Sequence, residues 1–105
     1  MKILIAENDE NICILYKYAL ADKHDLIICN TGESCIDQFN NYNLNNLDSK
    51  KRRKNLFFDI VLLDYQLPGL NGIEIAKELI KKNLNQRIIH ICFFKVSIKK
   101  HDRRC

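Results

Sequence analysis

Residues 57–72, FFDIVLLDYQLPGLNG, limit the fold more than any other part of the chain. Ile60, Val61, Leu62 and Leu63 form an unbroken apolar run. That is the pattern of a strand covered on both faces, as in a parallel sheet. Pro68, the only proline, stands before Gly69, and Asn71 before Gly72. These pairs end the run and turn the chain. Asp64 closes the run. It is either a loop cap, a common use of Asp, or an acid at the carboxyl end of a strand, where open α/β sheets place their chemistry.

The flanking sequence repeats this strand-and-helix alternation. KILIA at 2–6 and DLIIC at 25–29 are short apolar strand patterns, and RIIHICFF at 87–94 reads as a fourth. Ile12, Leu15, Tyr16, Ala19 and Leu20 give residues 11–22 a helical stripe. Thr31 is placed to cap a second helix, whose stripe is Cys35, Ile36, Phe39 and Tyr42. Asn71 with Glu74 three positions on resembles a capping box. It starts a third helix, with Ile73, Ala76, Leu79 and Ile80 on its stripe, that runs to about Lys82. Residues 43–55, NLNNLDSKKRRKN, carry no periodicity and read as a polar basic loop. His90 reads as a packed core histidine. The order β-α-β-α-β-α-β implies a parallel sheet with right-handed crossovers, open because four strands cannot close a barrel.

One domain accounts for 105 residues. No apolar run approaches the ~20 residues of a membrane span, and residues 3–6 are too short a stretch for a signal peptide. A cytoplasmic location is expected. The five cysteines (13, 29, 35, 92 and 105) are odd in number and form no C-x-x-C pair. This argues against a disulfide framework and against a zinc site. Cys13, Cys29 and Cys92 read as reduced core residues. Of the net charge of +4, residues 50–54 (KKRRK) supply +5 and residues 95–105 supply +4, which leaves −5 on the rest. An acidic body with two basic attachments does not favour a nucleic-acid partner.

Glu7, Asn8, Asp9 and Glu10 follow the first strand. Such acids can decorate a helix N-terminus or form a cation site with Asp64, if the first and third strands are neighbours. Clustered carboxylates repel unless a cation joins them. Mg²⁺ typically takes one or two carboxylates plus waters and phosphate oxygens, and a carboxylate beside it can accept a phosphoryl group.

With KILIAENDE, then FDIVLLDYQLPGLNGIEIAKEL, then QRIIHI, residues 2–92 resemble the receiver domain of two-component response regulators. The resemblance rests on the acidic cluster after strand one combined with D-x-x-x-P-G-x-x-G after strand three. It implies a flavodoxin-like, doubly wound parallel sheet. It also implies a phosphoryl group carried on Asp64 as 4-aspartylphosphate, taken from a sensor histidine kinase or a phosphotransfer protein. Magnesium would be held by Glu7, Asn8, Asp64 and the backbone carbonyl of Gln66. A receiver of this kind is a signalling module and not an enzyme. The aspartate-based phosphatase signature of the haloacid dehalogenases needs Asp where Gln66 stands.

The chain departs from the family pattern at three places. Asn8 stands where a metal-binding Asp is usual, and Cys92 where a Ser or Thr contacts the phosphoryl group. From about Phe93 the family pattern stops, before its fifth strand, essential Lys-Pro and last helix. A truncated receiver over 1–94 with a basic tail over 95–105 is therefore expected. Four strands would leave an exposed sheet edge that invites oligomerisation. A degenerate, non-phosphorylated receiver serving as a protein-binding module, or a non-functional fragment, is the alternative.

Overall fold

Four parallel strands and three helices alternate in a computed structural model that describes residues 1–45 and 57–91. The strands are β1 (Lys2–Ala6), β2 (Asp25–Cys29), β3 (Ile60–Asp64) and β4 (Ile88–Ile91). The helices are α1 (Glu10–Leu20), α2 (Gly32–Asn45) and α3 (Gly72–Lys82). The sheet order is β2-β1-β3-β4. The chain steps from β1 outward to β2, then crosses back past β1 to β3 and on to β4. With right-handed crossovers, α1 covers one face while α2 and α3 cover the other.

The main core lies under α2 and α3. Leu4, Ala6, Cys29, Val61 and Leu63 alternate inward along the strands and meet Cys35, Phe39, Ile75 and Leu79 from the helices. Phe58 is stacked against Phe39 at 6.2 Å between ring centroids. Tyr42 and Phe57, stacked at 4.6 Å, extend this aromatic group. The second-helix stripe and the Thr31 cap are as the spacing predicts. Cys35 and Phe39 are fully buried, and the Thr31 hydroxyl accepts from the Ser34 amide at 3.1 Å. Asn71 and Glu74 complete both halves of their capping box.

Four expectations change. The residues buried along α1 are Ile12 and Cys13, while Leu15 is 59% exposed and Ala19 is also outside. Among the described residues α1 packs on the sheet alone, so it buries a narrower stripe than a helix covered on two sides. Residues 43–45, expected to open the polar loop, belong to α2 instead. α2 continues through Asn45, and Asn43 Nδ2 donates to the Phe39 carbonyl one turn back at 2.7 Å. His90 is not a core residue: it is exposed on β4, with its ring edge-on to Tyr65 at 5.9 Å. The α3 stripe shifts as well: Ile75 and Leu79 are its buried apolar residues, while Ile73, expected on the stripe, is 45% exposed. The described part of the expected fourth strand is Ile88–Ile91. Phe93, Phe94, the KKRRK run, Cys92, Cys105 and the boundary at residue 94 lie outside the described residues.

Among the described residues β4 pairs only with β3, and Ile89 on it is 46% exposed. No helix there is long and apolar enough to cross a membrane.

Candidate functional site

The register of β1 with β3 builds the site. Ala6 pairs with Leu63, so Glu7, one residue past β1, and Asp64, the last residue of β3, come next along two adjacent strands. Both lie at the carboxyl edge of the sheet and both are buried, at 1% and 3% exposure. A polar side chain held so deep is unusual for a loop cap and requires compensation.

The Glu7 backbone is held from three directions. Its N–H donates to the Cys29 carbonyl at 2.9 Å. Its carbonyl accepts from Asn30 Nδ2 at 3.1 Å and from the Cys13 thiol at 3.5 Å. Its carboxylate accepts from the Asp9 amide at 2.9 Å. Asp64 accepts from the Gln66 amide at 3.2 Å, which folds the chain sharply after β3. The turn continues through Gly69, whose φ of +82° is a left-handed conformation that glycine adopts without steric cost.

Gly72 closes this loop against the strand. A Cβ there would meet the Asp64 carbonyl oxygen at 2.9 Å and His90 Nδ1 at 3.3 Å. Only a residue without a side chain lets α3 start so close to the end of β3. Sequence reasoning read Gly72 as half of a turn signal and missed this contact, which depends on the tertiary position of α3.

The acids after β1 divide their work. Asp9 is the N-cap of α1: its side chain accepts from the Asn11 amide at 2.9 Å and the Ile12 amide at 3.2 Å. Glu10 sits in the first turn, where the helix dipole favours it. Asn8 is exposed between them, and the Gln66 side chain is exposed as well. Among the described residues, no group of three or more His, Cys, Asp and Glu is arranged to hold a metal ion. The arrangement offers two buried carboxylates, with an amide and backbone carbonyls nearby in sequence. These are hard oxygen donors, of the type and number that Mg²⁺ accepts when waters complete its shell.

Tyr16 is a further resident of the site that the helical stripe alone did not single out. Burial first, then the charges of Glu7 and Asp64, push its phenol up to about 12. The hydroxyl therefore stays protonated beside both carboxylates. The sequence signal was available: a stripe residue two turns into a helix that starts at the strand end faces the site.

No family model matches the chain. The sensory transduction protein LytT of Oceanobacillus iheyensis is 29% identical over 80 residues, which are 73% of this chain and 27% of that protein. The alkaline phosphatase synthesis transcriptional regulatory protein PhoP of Bacillus subtilis is 30% identical over 84 residues, 79% of this chain and 29% of that one. The chain thus spans under a third of the length of these two relatives.

Among solved structures, the response regulator TrrA of Thermotoga maritima, in complex with Mg²⁺-BeF, superposes with a TM-score of 0.68 at 27% identity. The match covers 87% of this chain and 68% of that one. A receiver domain from Clostridium thermocellum matches at 0.69 and 22% identity over 87% of this chain and 64% of that one.

Proposed function

For a chain that has the fold of response regulator receiver domains and resembles response regulators in sequence, we propose that Asp64 accepts a phosphoryl group in a two-component phosphorelay. The observation that carries the reading is the burial of Asp64 at the end of β3, next to the equally buried Glu7 one residue past the end of β1. The donor is a phosphohistidine on a sensor kinase or phosphotransfer protein. A carboxylate oxygen of Asp64 forms the new bond to phosphorus as the P–N bond breaks. The electron pair stays on the imidazole nitrogen, which takes up a proton. The product is 4-aspartylphosphate.

Glu7, Asn8, Asp64 and the Gln66 carbonyl are the residues that would hold Mg²⁺, whose charge would offset that of the phosphoryl oxygens. The Gln66 amide orients Asp64, and the Asp9 amide orients Glu7. Tyr16 supplies a protonated hydroxyl beside both. The proposed location is the cytoplasm, and the proposed extent of the receiver is residues 1–94.

The test is intact mass after incubation with acetyl phosphate and Mg²⁺. A phosphate-sized gain is expected, and Asp64→Asn removes it. If the wild-type chain gains nothing under conditions that label another receiver, the proposal fails. The outcome would then favour a receiver that binds a protein partner without phosphorylation. The neutral, exposed Asn8 is the observation on the side of that second reading.

A further inference from the structure

The ladder between β1 and β2 goes on for one rung after β2 ends. Ala6 pairs with Cys29, the last residue of β2, so Glu7 and Asn30 come next in register. The Glu7 amide still donates to the Cys29 carbonyl at 2.9 Å. In a parallel ladder, a residue that donates to one position of its neighbour accepts from the amide two positions further along. For Glu7 that amide belongs to Thr31. Thr31 has turned into the start of α2: its hydroxyl accepts from the Ser34 amide at 3.1 Å, and its carbonyl from the Cys35 amide at 3.1 Å. Asn30 supplies the rung instead. Its Nδ2 donates to the Glu7 carbonyl at 3.1 Å.

The Glu7 backbone is thereby kept in line with the strand it follows, while its buried carboxylate accepts from the Asp9 amide at 2.9 Å. The Cys13 thiol lies 3.5 Å from the same carbonyl, but a thiol is a weak donor and does not replace an amide. A shift of the backbone at Glu7 carries the carboxylate with it. Mg²⁺ tolerates little such movement, because it demands near-ideal octahedral geometry at about 2.0–2.1 Å. Ca²⁺ accepts a looser shell at about 2.3–2.6 Å. Groups that orient a metal ligand are worth about 10–100-fold in metal affinity.

We propose that Asn30 is a positioning residue of the metal site, its side-chain amide taking the place of a backbone rung to hold Glu7 in the geometry that Mg²⁺ needs. This role rests on Glu7 being a Mg²⁺ ligand, as proposed above. Asn30 acts through Glu7 and is not itself a ligand. Its effect is therefore on which ion fits, and it disappears when the Glu7 carboxylate is gone.

The experiment is titration of the full chain with Mg²⁺ and, separately, Ca²⁺, followed by NMR, for the wild type, Asn30→Ala, Glu7→Gln and the double variant. Asn30 is exposed and Thr31 makes the α2 cap, so Asn30→Ala keeps the fold. Asn30→Ala is expected to weaken Mg²⁺ about tenfold and Ca²⁺ by less, which lowers the preference for Mg²⁺. Added to Glu7→Gln, it changes Mg²⁺ affinity by no more than about twofold, because both changes act on one group. In the metal-free chain, Asn30→Ala speeds hydrogen exchange at the Asp9 amide, which donates to Glu7, and leaves the Val61 amide of β3 unchanged. A wild type that binds no Mg²⁺ overturns the proposal, as does unchanged Mg²⁺ affinity in Asn30→Ala. Equal losses for both ions, full additivity with Glu7→Gln, or faster exchange at Val61 as well mark a merely structural contact and overturn it too. A chain that gives the expected titrations but gains no mass from acetyl phosphate retains this role for Asn30 and loses the phosphoacceptor reading of Asp64.

Discussion

Replacing Gly72 with Ala tests whether the start of α3 is pressed against the end of β3. The added carbon would sit 2.9 Å from the Asp64 carbonyl oxygen and 3.3 Å from both Tyr65 Cα and His90 Nδ1. The nearest atom is backbone in a central strand, so it cannot swing away as a flexible side chain could. Overpacking of this sort costs about 1–3 kcal/mol. Against it stands the helix propensity of Ala over Gly, at most about 1 kcal/mol and less at a first helical position. The net expectation is a loss of roughly 1–2 kcal/mol, or about 5–10 °C in Tm for a domain of this size. Urea denaturation followed by two spectroscopic probes measures it. Displacing the Asp64 carbonyl also moves the carboxylate, so labelling by acetyl phosphate slows at temperatures where the variant is folded. A Gly72→Ala chain as stable as the wild type would refute the close approach and the reading of why glycine stands there.

Gly69→Ala is expected to lose about 1–2 kcal/mol through its φ of +82°, while Gly69→Asn loses less, as measured by the same denaturation. Phe39→Ala empties a fully buried position stacked on Phe58 and costs about 3–5 kcal/mol, the largest of these changes. Burial holds the Cys35 thiol at about 12, above its ordinary value of 9.0. Between those values the unfolded chain has lost the proton and the folded chain keeps it, so this residue lowers stability as pH rises from about 9 to 12. Cys35→Ala therefore flattens the stability profile in that window, and in the native wild type Cys35 reacts with thiol reagents only as fast as the fold opens.

The strands and the caps were legible because their causes are local. Val61 and its neighbours form an apolar run, Asn71 with Glu74 forms a box within one turn, and Thr31 stands at a helix start. What escaped the sequence depended on which surfaces meet. Leu15 follows helical spacing as well as Ile12 does, yet it is exposed, because spacing defines a stripe and not how wide a partner covers it. His90 sits in an apolar run, but among the described residues α3 does not cover its side of β4. Asn43 looked like loop sequence until its amide found the carbonyl of Phe39. The site itself was legible as a pair, since Glu7 and Asp64 each end an apolar run. Their adjacency, 57 positions apart in sequence, came from the register of β1 with β3.

The metal affinity of this site is decided by how the acids after β1 are used. Asp9, the carboxylate next to Asn8 in the chain, could replace the charge missing there, but it is committed to two amides of α1. Recruiting it would uncap the helix at a cost of about 0.5–2 kcal/mol, a factor of roughly 2 to 30 in affinity. Asn8 is exposed and carries no cap, so a carboxylate there is free of that penalty. Asn8→Asp should therefore tighten Mg²⁺ binding measured by calorimetry. Asp9→Ala should lower fold stability by about 1 kcal/mol and leave Mg²⁺ affinity unchanged in the folded chain. If Asp9→Ala weakens Mg²⁺ while Asn8→Asp does nothing, the loop rearranges around the ion and Asp9, not Asn8, belongs to its shell.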